Sequence, residues 1–339
     1  MDKVEIHPSG QCQLRCPFCY GLDLAPQHRT NLPVGIIETN ILRDLREAPE
    51  LKDEEPLIVF AGMYGEPLLY PDIRRAISIV GELQFRFGIY TNGLSLDDDL
   101  CHILVTSANK CKKTLKPIYI SFNITASVIT DRLYEDLLPK IEKLSKIRNK
   151  ENSSLQINAP IGIVKECCRD AVLRPMQDKL LDMGVDNIRY SFPWAPLDSS
   201  AIQDYQFIET EEYRDTLAII KQLERSDPKR VKKRMPNIRP FDHCFAMSMS
   251  IAISPEGDVF PCPEVCSPIF KNKGLSFGSI INQRLSQIWQ SRKHMQTFQS
   301  FDPRTIKCVC CPVDFDFNTT CAQIWPPSFE DFGKRLLGK

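Results

Sequence analysis

The chain lacks an excess of either charge: 43 Lys and Arg balance 43 Asp and Glu over 339 residues. Nucleic-acid backbones and anionic membranes select basic surfaces, so neither is expected as the main partner. Long apolar runs are also missing. The longest stretches, such as 57–63, fall far short of the ~20 residues that a membrane-spanning helix needs. The first ten residues, MDKVEIHPSG, lack the apolar core of a secretory signal. There is no internal repeat and no low-complexity tract. These absences lead to the expectation of a cytoplasmic protein with one large domain, or one domain and a smaller module. A hydrophobic content of 42% supports a substantial core.

Cysteine is what the chain has in plenty. Fourteen cysteines without an export signal point to metal ligation over disulfides. Cys12, Cys16 and Cys19 stand in CQLRCPFC, a C-x3-C-x2-C. Three thiolates on one short loop are one fewer than the irons of a [4Fe–4S] cluster, so one iron is left for something other than protein. An open coordination position is what a catalytic metal site keeps and a structural one closes. A zinc knuckle would need a fourth ligand close by. His7 precedes the loop and His28 lies nine residues past it.

Short β-branched or aromatic runs alternate with longer amphipathic ones. Strands are expected at 4–6, 57–61, 87–90, 118–122, 155–158 and 187–192, and helices at 33–46, 71–83, 129–148 and 170–183, with Ser95 capping a further helix. Six strands with crossover helices make a βα repeat around a parallel sheet. Chemistry in such sheets gathers just past the C-terminal ends of strands. The cysteine loop falls there after the first strand, Gly65-Glu66-Pro67 after the second, and Thr91-Asn92-Gly93 after the third. Ser121 and Asn123 bracket the end of the fourth, and Asn158 and Arg189 are placed at the ends of the fifth and sixth. Cys167 and Cys168 follow the fifth strand; Trp194 and Asp198 follow the sixth.

Residues 226–240, SDPKRVKKRMPNIRP, read as a solvated basic linker, or as a basic patch facing a phosphate-bearing substrate or an acidic electron donor. Seven of the fourteen cysteines lie beyond it, between 244 and 321. Cys244, Gly257 and Cys262 form C-x12-G-x4-C across an expected hairpin of 248–253 and 258–260, with Gly257 supplying the positive φ of its turn. A helix is expected at 285–297, and Cys308 and Cys311 form a C-x2-C. Four thiolates from a hairpin and a distant loop suit a second iron–sulfur cube, and a zinc module uses the same elements.

The N-terminal triplet resembles the cluster motif of the radical SAM enzymes, and Phe18 before the third cysteine fits that pattern. The C-terminal cysteines resemble the SPASM/twitch extension of the same enzymes. They depart from full SPASM in that the next cysteine after Cys311 is Cys321, ten positions on. The resemblance implies an α/β fold: a partial (β/α)6 TIM-like barrel over 1–225, the linker 226–240, and a cysteine-rich auxiliary-cluster domain over 241–339. It implies a [4Fe–4S] cluster on Cys12, Cys16 and Cys19, its open iron chelated by S-adenosylmethionine. At least one auxiliary [4Fe–4S] cluster would sit on Cys244, Cys262, Cys308 and Cys311. Cys266, Cys310 and Cys321 are then left over for a second. Gly65 and Glu66 match the family's GGEP-like motif, with Tyr64 replacing its first Gly. Glu66 would hold the ammonium of the cofactor through charge-assisted hydrogen bonds. Ser121 and Asn123 would bond its ribose or carboxylate, with Asn158 and Arg189 as further cofactor contacts. Cys167 or Cys168 would return a hydrogen atom, and His7 would serve as a base.

The activity implied is reductive cleavage of S-adenosylmethionine to a 5′-deoxyadenosyl radical, which takes a hydrogen atom from a small polar substrate of the sugar, aminocyclitol or nucleoside type. Oxidation or epimerisation follows, the work of an oxidoreductase or isomerase. The triplet begins at residue 12, which leaves no room for a leader-peptide-binding domain before the barrel and favours a small molecule. Two alternatives stand: a maturase that cross-links, epimerises or oxidises a precursor peptide, and a non-catalytic iron–sulfur electron carrier. A flavodoxin- or ferredoxin-type donor would supply the electron.

Overall fold

The computed structural model describes residues 1–16, 19, 30–51, 55–62, 65–111, 117–124, 133–163, 169–191, 210–234, 244–266 and 271–302. Ten strands form one sheet: β1 (Lys3–Ile6), β2 (Leu57–Phe60), β3 (Phe87–Thr91), β4 (Ile118–Phe122), β5 (Leu155–Gly162), β6 (Asn187–Ser191), β7 (Val231–Arg234), β8 (Ser250–Ile253), β9 (Asp258–Phe260) and β10 (Gly278–Ser279). Their order is β10-β9-β8-β1-β2-β3-β4-β5-β6-β7. Every pairing from β8 through β1 to β7 is parallel, and β8–β9 and β9–β10 are antiparallel. The sheet ends on β7 and β10 without closing, as expected of a partial barrel.

Helices fill the crossovers. One helical run comprises Val34–Ile36, the π-type turns Ile37–Arg43, and Asp44–Glu47, and is α1. The others on the barrel are α2 (Ile73–Glu82), α3 (Asp98–Lys110), α4 (Leu133–Lys150), α5 (Asp170–Asp182) and α6 (Glu211–Ser226). In α2 the residues Ile73, Ala76, Ile77 and Val80 recur at helical spacing and are buried. Asp97, not Ser95, caps α3: its carboxylate accepts from the Leu100 N–H at 2.9 Å.

The two faces of the sheet differ in chemistry. One row in register, Ile6, Phe60, Ile89, Ile120 and Ile157, is wholly buried and belongs to the hydrophobic core beneath the helices. Each such side chain contributes about 1.5–3 kcal/mol by leaving water. Strand side chains alternate between faces, so the next row turns the other way. That inner face carries Lys3, Glu5, Tyr119 and Gln156, then Tyr90, Ser121, Asn158 and Asn187, then Arg189 and Lys232.

Four expectations are corrected. The run taken as a basic linker, 226–240, contains β7, which pairs with β6 from Ile188↔Val231 to Ser191↔Arg234. The fifth strand continues past Asn158 to Gly162, because the Pro160 carbonyl still accepts from the Ile124 N–H at 2.9 Å. Arg189 is the middle residue of β6 rather than its end. The helix expected at 285–297 is two pieces, α7 (Leu285–Ile288) and α8 (Arg292–Ser300). Gln290 between them has φ +60°, and its N–H donates to His294 Nδ1 at 2.9 Å. The hairpin forms as expected, with Gly257 at φ +83°.

The C-terminal elements are fastened to α1 by a buried carboxylate. Asp44 accepts from the Ser286 N–H at 2.6 Å and the Ser286 hydroxyl at 3.1 Å, and Asn40 donates to the Ile280 carbonyl at 2.7 Å. Replacing Asp44 with Ala removes two charge-assisted bonds and is expected to cost about 2–3 kcal/mol. Chemical denaturation of D44A should show this as a lowered midpoint with unchanged secondary structure before the transition.

Candidate metal and cofactor site

The rim past the C-terminal ends of β1, β2 and β3 is built from three interlocked loops. The first carries the cysteine triplet. It is anchored by an isolated bridge between Ser9 and Asn31 and by the Gly10 N–H on the Thr30 carbonyl at 2.9 Å. Cys16 is buried and Cys12 and Cys19 are half-buried; none of the three is in a disulfide. The Cys19 N–H closes a turn on the Cys16 carbonyl at 2.9 Å, and the Leu14 N–H points at Cys12 Sγ at 3.4 Å.

Burial pushes the Cys12 thiol up to about 11, and nearby Glu66, Cys16 and Cys19 add to the rise. The triplet and Glu66 therefore share one electrostatic neighbourhood. Among the described residues no three His, Cys, Asp or Glu side chains converge as a preformed cage. Gathering and deprotonating such ligands is coupled to metal binding itself. Three soft thiolates on a loop with an N–H aimed at sulfur fit an iron–sulfur cluster and suit hard cations poorly.

The second loop is Gly65-Glu66-Pro67. Its Glu66 N–H donates to the Gln11 carbonyl at 2.6 Å, so it lies directly against the cysteine loop. A Cβ on Gly65 would sit 1.9 Å from the Ser9 carbonyl oxygen. Glycine is required there by close approach of two backbones.

Glu66 itself is buried, with 3% of its surface exposed. One carboxylate oxygen accepts from the Leu68 N–H at 3.0 Å and from the Thr91 hydroxyl. The other accepts from the Asn92 N–H at 2.8 Å. Burial nevertheless raises its pKa to about 7, the three hydrogen bonds opposing the rise. A buried carboxylate at that setting gains from a cationic partner, which an ammonium group provides. The structure thus fits the expected clamp and adds that the same carboxylate already ties the second loop to the third.

The third loop is the turn Thr91-Asn92-Gly93. Asn92 Oδ1 accepts from the Leu94 N–H at 3.0 Å and from Gln13 Nε2 at 3.2 Å. Gln13, within the triplet, thereby reaches across to β3. The Thr91-Asn92-Gly93 turn is marked in the sequence by its place after the third strand, though without a role for Thr91, and nothing in the sequence marks Gln13.

The remaining expected residues are spread over the inner face. Ser121 is buried near the end of β4, and the Asn123 N–H just past it donates to the Thr91 carbonyl at 2.6 Å. Asn158, mid-strand, accepts from Asn187 Nδ2 at 2.8 Å. His7 is buried, its Nε2 3.6 Å from Glu5, and burial lowers its pKa. Glu5 in turn holds Lys3 at 3.1 Å. Tyr119 and Tyr90 meet hydroxyl to hydroxyl at 3.2 Å. Burial raises the Tyr119 pKa, Tyr90 and Glu5 add to it, and the Arg189 charge opposes it.

In the C-terminal region Cys244 and Cys262 are half-buried and Cys266 is fully buried, its thiol pushed well up by burial. Phe18, Cys167, Cys168, Trp194, Asp198, Cys308, Cys310, Cys311 and Cys321 lie outside the described residues.

Residues 6–155 match the radical SAM superfamily model, and residues 244–312 match that of SPASM, an iron–sulfur cluster-binding domain. The chain thus carries a radical SAM domain followed by a SPASM domain. The first implies a [4Fe–4S] cluster and S-adenosylmethionine, and the second auxiliary iron–sulfur clusters. A Pyrococcus furiosus relative, the tungsten-containing aldehyde ferredoxin oxidoreductase cofactor-modifying protein, is 25% identical over 87% of this chain and 82% of its own. Streptococcus suis SuiB, solved with its precursor peptide SuiA, shares the fold with a TM-score of 0.60 at 17% identity, covering 88% of this chain and 66% of SuiB. The present chain therefore spans slightly less than two thirds of SuiB. Native anSMEcpe with bound AdoMet gives a TM-score of 0.60 at 16% identity, covering 88% of this chain and 83% of that one. Among the described residues no helix is long and apolar enough to cross a membrane.

Two outcomes test the rim. Gly65→Ala forces the cysteine loop off the second loop and should lower iron and sulfide per chain after reconstitution, with the far-ultraviolet spectrum kept. Glu66 has a folded pKa of about 7 against an ordinary 4.5. Ionising it costs stability, and the cost grows as pH rises from 4.5 to 7, reaching about 3 kcal/mol. In cluster-free protein, E66Q should flatten that part of the stability–pH curve relative to wild type.

Proposed function

We propose that this protein is a radical SAM maturase acting on a polypeptide. The observation that carries the reading is the fold shared over 88% of the chain with SuiB, a protein seen bound to a precursor peptide. The anSMEcpe protein, also solved with a peptide, supports it. The sheet itself is consistent with it: among the described residues it ends on β7 and β10 without closing. The small-molecule preference rested on where Cys12 falls in the chain, and no structural observation adds to it. A second reading, a small cofactor-type substrate, is favoured by the P. furiosus relative, which is a cofactor-modifying protein.

In this reading Cys12, Cys16 and Cys19 hold the cluster, and Glu66 receives the ammonium of S-adenosylmethionine. Ser121 and Asn123 bond its ribose or carboxylate. Cys244, Cys262, Cys308 and Cys311 hold an auxiliary cluster. When bound, cluster and cofactor supply a 5′-deoxyadenosyl radical that takes a hydrogen atom from the substrate, while the barrel positions that substrate and excludes water. A flavodoxin- or ferredoxin-type donor provides the electron.

The test begins with anaerobically reconstituted, dithionite-reduced protein. It should form 5′-deoxyadenosine from S-adenosylmethionine, and a variant with Cys12, Cys16 and Cys19 all changed to Ala should form none. Peptides should then raise the yield above that reached with sugars, aminocyclitols or nucleosides. The reverse order would replace the polypeptide with a small molecule.

A further inference from the structure

The inner face carries charged groups from β1 and β6. Those of β1 are satisfied internally, Lys3 on Glu5 and Glu5 beside His7. Arg189 on β6 is not. Among the described residues it has no ion pair. Its Nε is buried without a hydrogen-bond partner, and so is the hydroxyl of Ser191, two residues on and on the same face. A buried donor left without an acceptor costs about 1–3 kcal/mol, so two side by side on one face are expensive unless something completes them.

The surroundings define what that is. Asn158 is the register partner of Asn187. Its carbonyl is taken by the Asn187 amide, which leaves its NH2 for the inner face. Arg189, Ser191 and Asn158 thus offer donors, and among the described residues no acidic side chain pairs with Arg189. Lys232, the register neighbour of Arg189, is exposed, and its ammonium bonds the Pro228 carbonyl at 2.5 Å. One guanidinium without a second committed cation matches a single negative charge, and its fork matches the two oxygens of a carboxylate. Along the sheet Arg189 stands on β6, five strands from the β1 that leads into the cysteine loop.

We infer that Arg189, with Ser191 and Asn158, anchors a carboxylate of the substrate on the far wall of the barrel. On the polypeptide reading, on which this rests, the carboxylate belongs to an Asp or Glu side chain or to a C-terminus. Arg189 is then a substrate-specificity residue in place of the cofactor contact expected from the sequence.

The test is calorimetric titration of the reconstituted holoprotein, with S-adenosylmethionine present, using N-acetyl-aspartate N-methylamide, N-acetylglycine and inorganic phosphate. The first probe offers a side-chain carboxylate and the second a terminal one. At least one should bind with a dissociation constant on the order of millimolar, given its few atoms. R189Q should weaken it about tenfold or more, R189K less, and S191A by a few-fold. Melting curves of each variant check that the fold is kept. Equal binding to R189Q and wild type, phosphate preferred over both carboxylates, or no carboxylate bound to the wild type would overturn the assignment. Loss of S-adenosylmethionine binding in step with the probe would also overturn it, by returning Arg189 to the cofactor. Arg189-dependent carboxylate binding without any response of 5′-deoxyadenosine formation to peptides would keep the anchor and reject the polypeptide.

Discussion

The rim of this barrel depends on one carboxylate. Moving a charged group out of water costs several kcal/mol, and the donors of β3 and of its own loop offset that cost for Glu66 only in part. Leu68, Thr91 and Asn92 supply them, while the Glu66 backbone reaches Gln11 in the cysteine loop. The position of the triplet, the turn after β3 and the path after β2 are therefore one problem with one solution. Gln13 on Asn92 closes the same circuit from the other side. On the proposed reading, a cofactor ammonium at Glu66 would meet an acceptor already oriented by these bonds.

The division of the sheet into an apolar outer and a polar inner face follows from the same accounting of polar groups. A core can be wholly apolar because helices cover it. An inner face that must receive a polar ligand carries hydrogen-bonding groups, and each must be satisfied in the absence of that ligand or left to be completed by it. The Lys3–Glu5 pair, the two tyrosine hydroxyls and the Asn158–Asn187 pair are of the first kind. Arg189 and Ser191 are of the second.

Much of this was legible in the residues. The strands from β1 to β6 are β-branched and aromatic runs, and local pattern was enough to find them. The triplet was legible because its chemistry is written in spacing alone. Where reading failed, the cause is physical. β7 was hidden because three of its four residues are Lys or Arg, the composition of an edge strand that must resist pairing with another molecule. β5 was cut short at Asn158 because Pro160 argues against a strand, yet this proline keeps its carbonyl in the ladder. The links from Gln13 to Asn92 and from Asp44 to Ser286 join residues 79 and 242 positions apart, and local pattern says nothing of such pairs.

The parallel pairing of β8 with β1 carries a consequence for how the chain is made. Lys3–Ile6 is made long before Ser250–Ile253, the strand that pairs with one of its two edges. Until β8 has been synthesised, that edge stays a template for any other extended segment. The hairpin that bears Cys262 at its foot is thus also the last stave of the barrel, and its arrival shields the strand that leads into the cluster loop. The covering of β1 and the settling of the loop that follows it are thereby coupled to the arrival of a strand about 250 residues later in sequence.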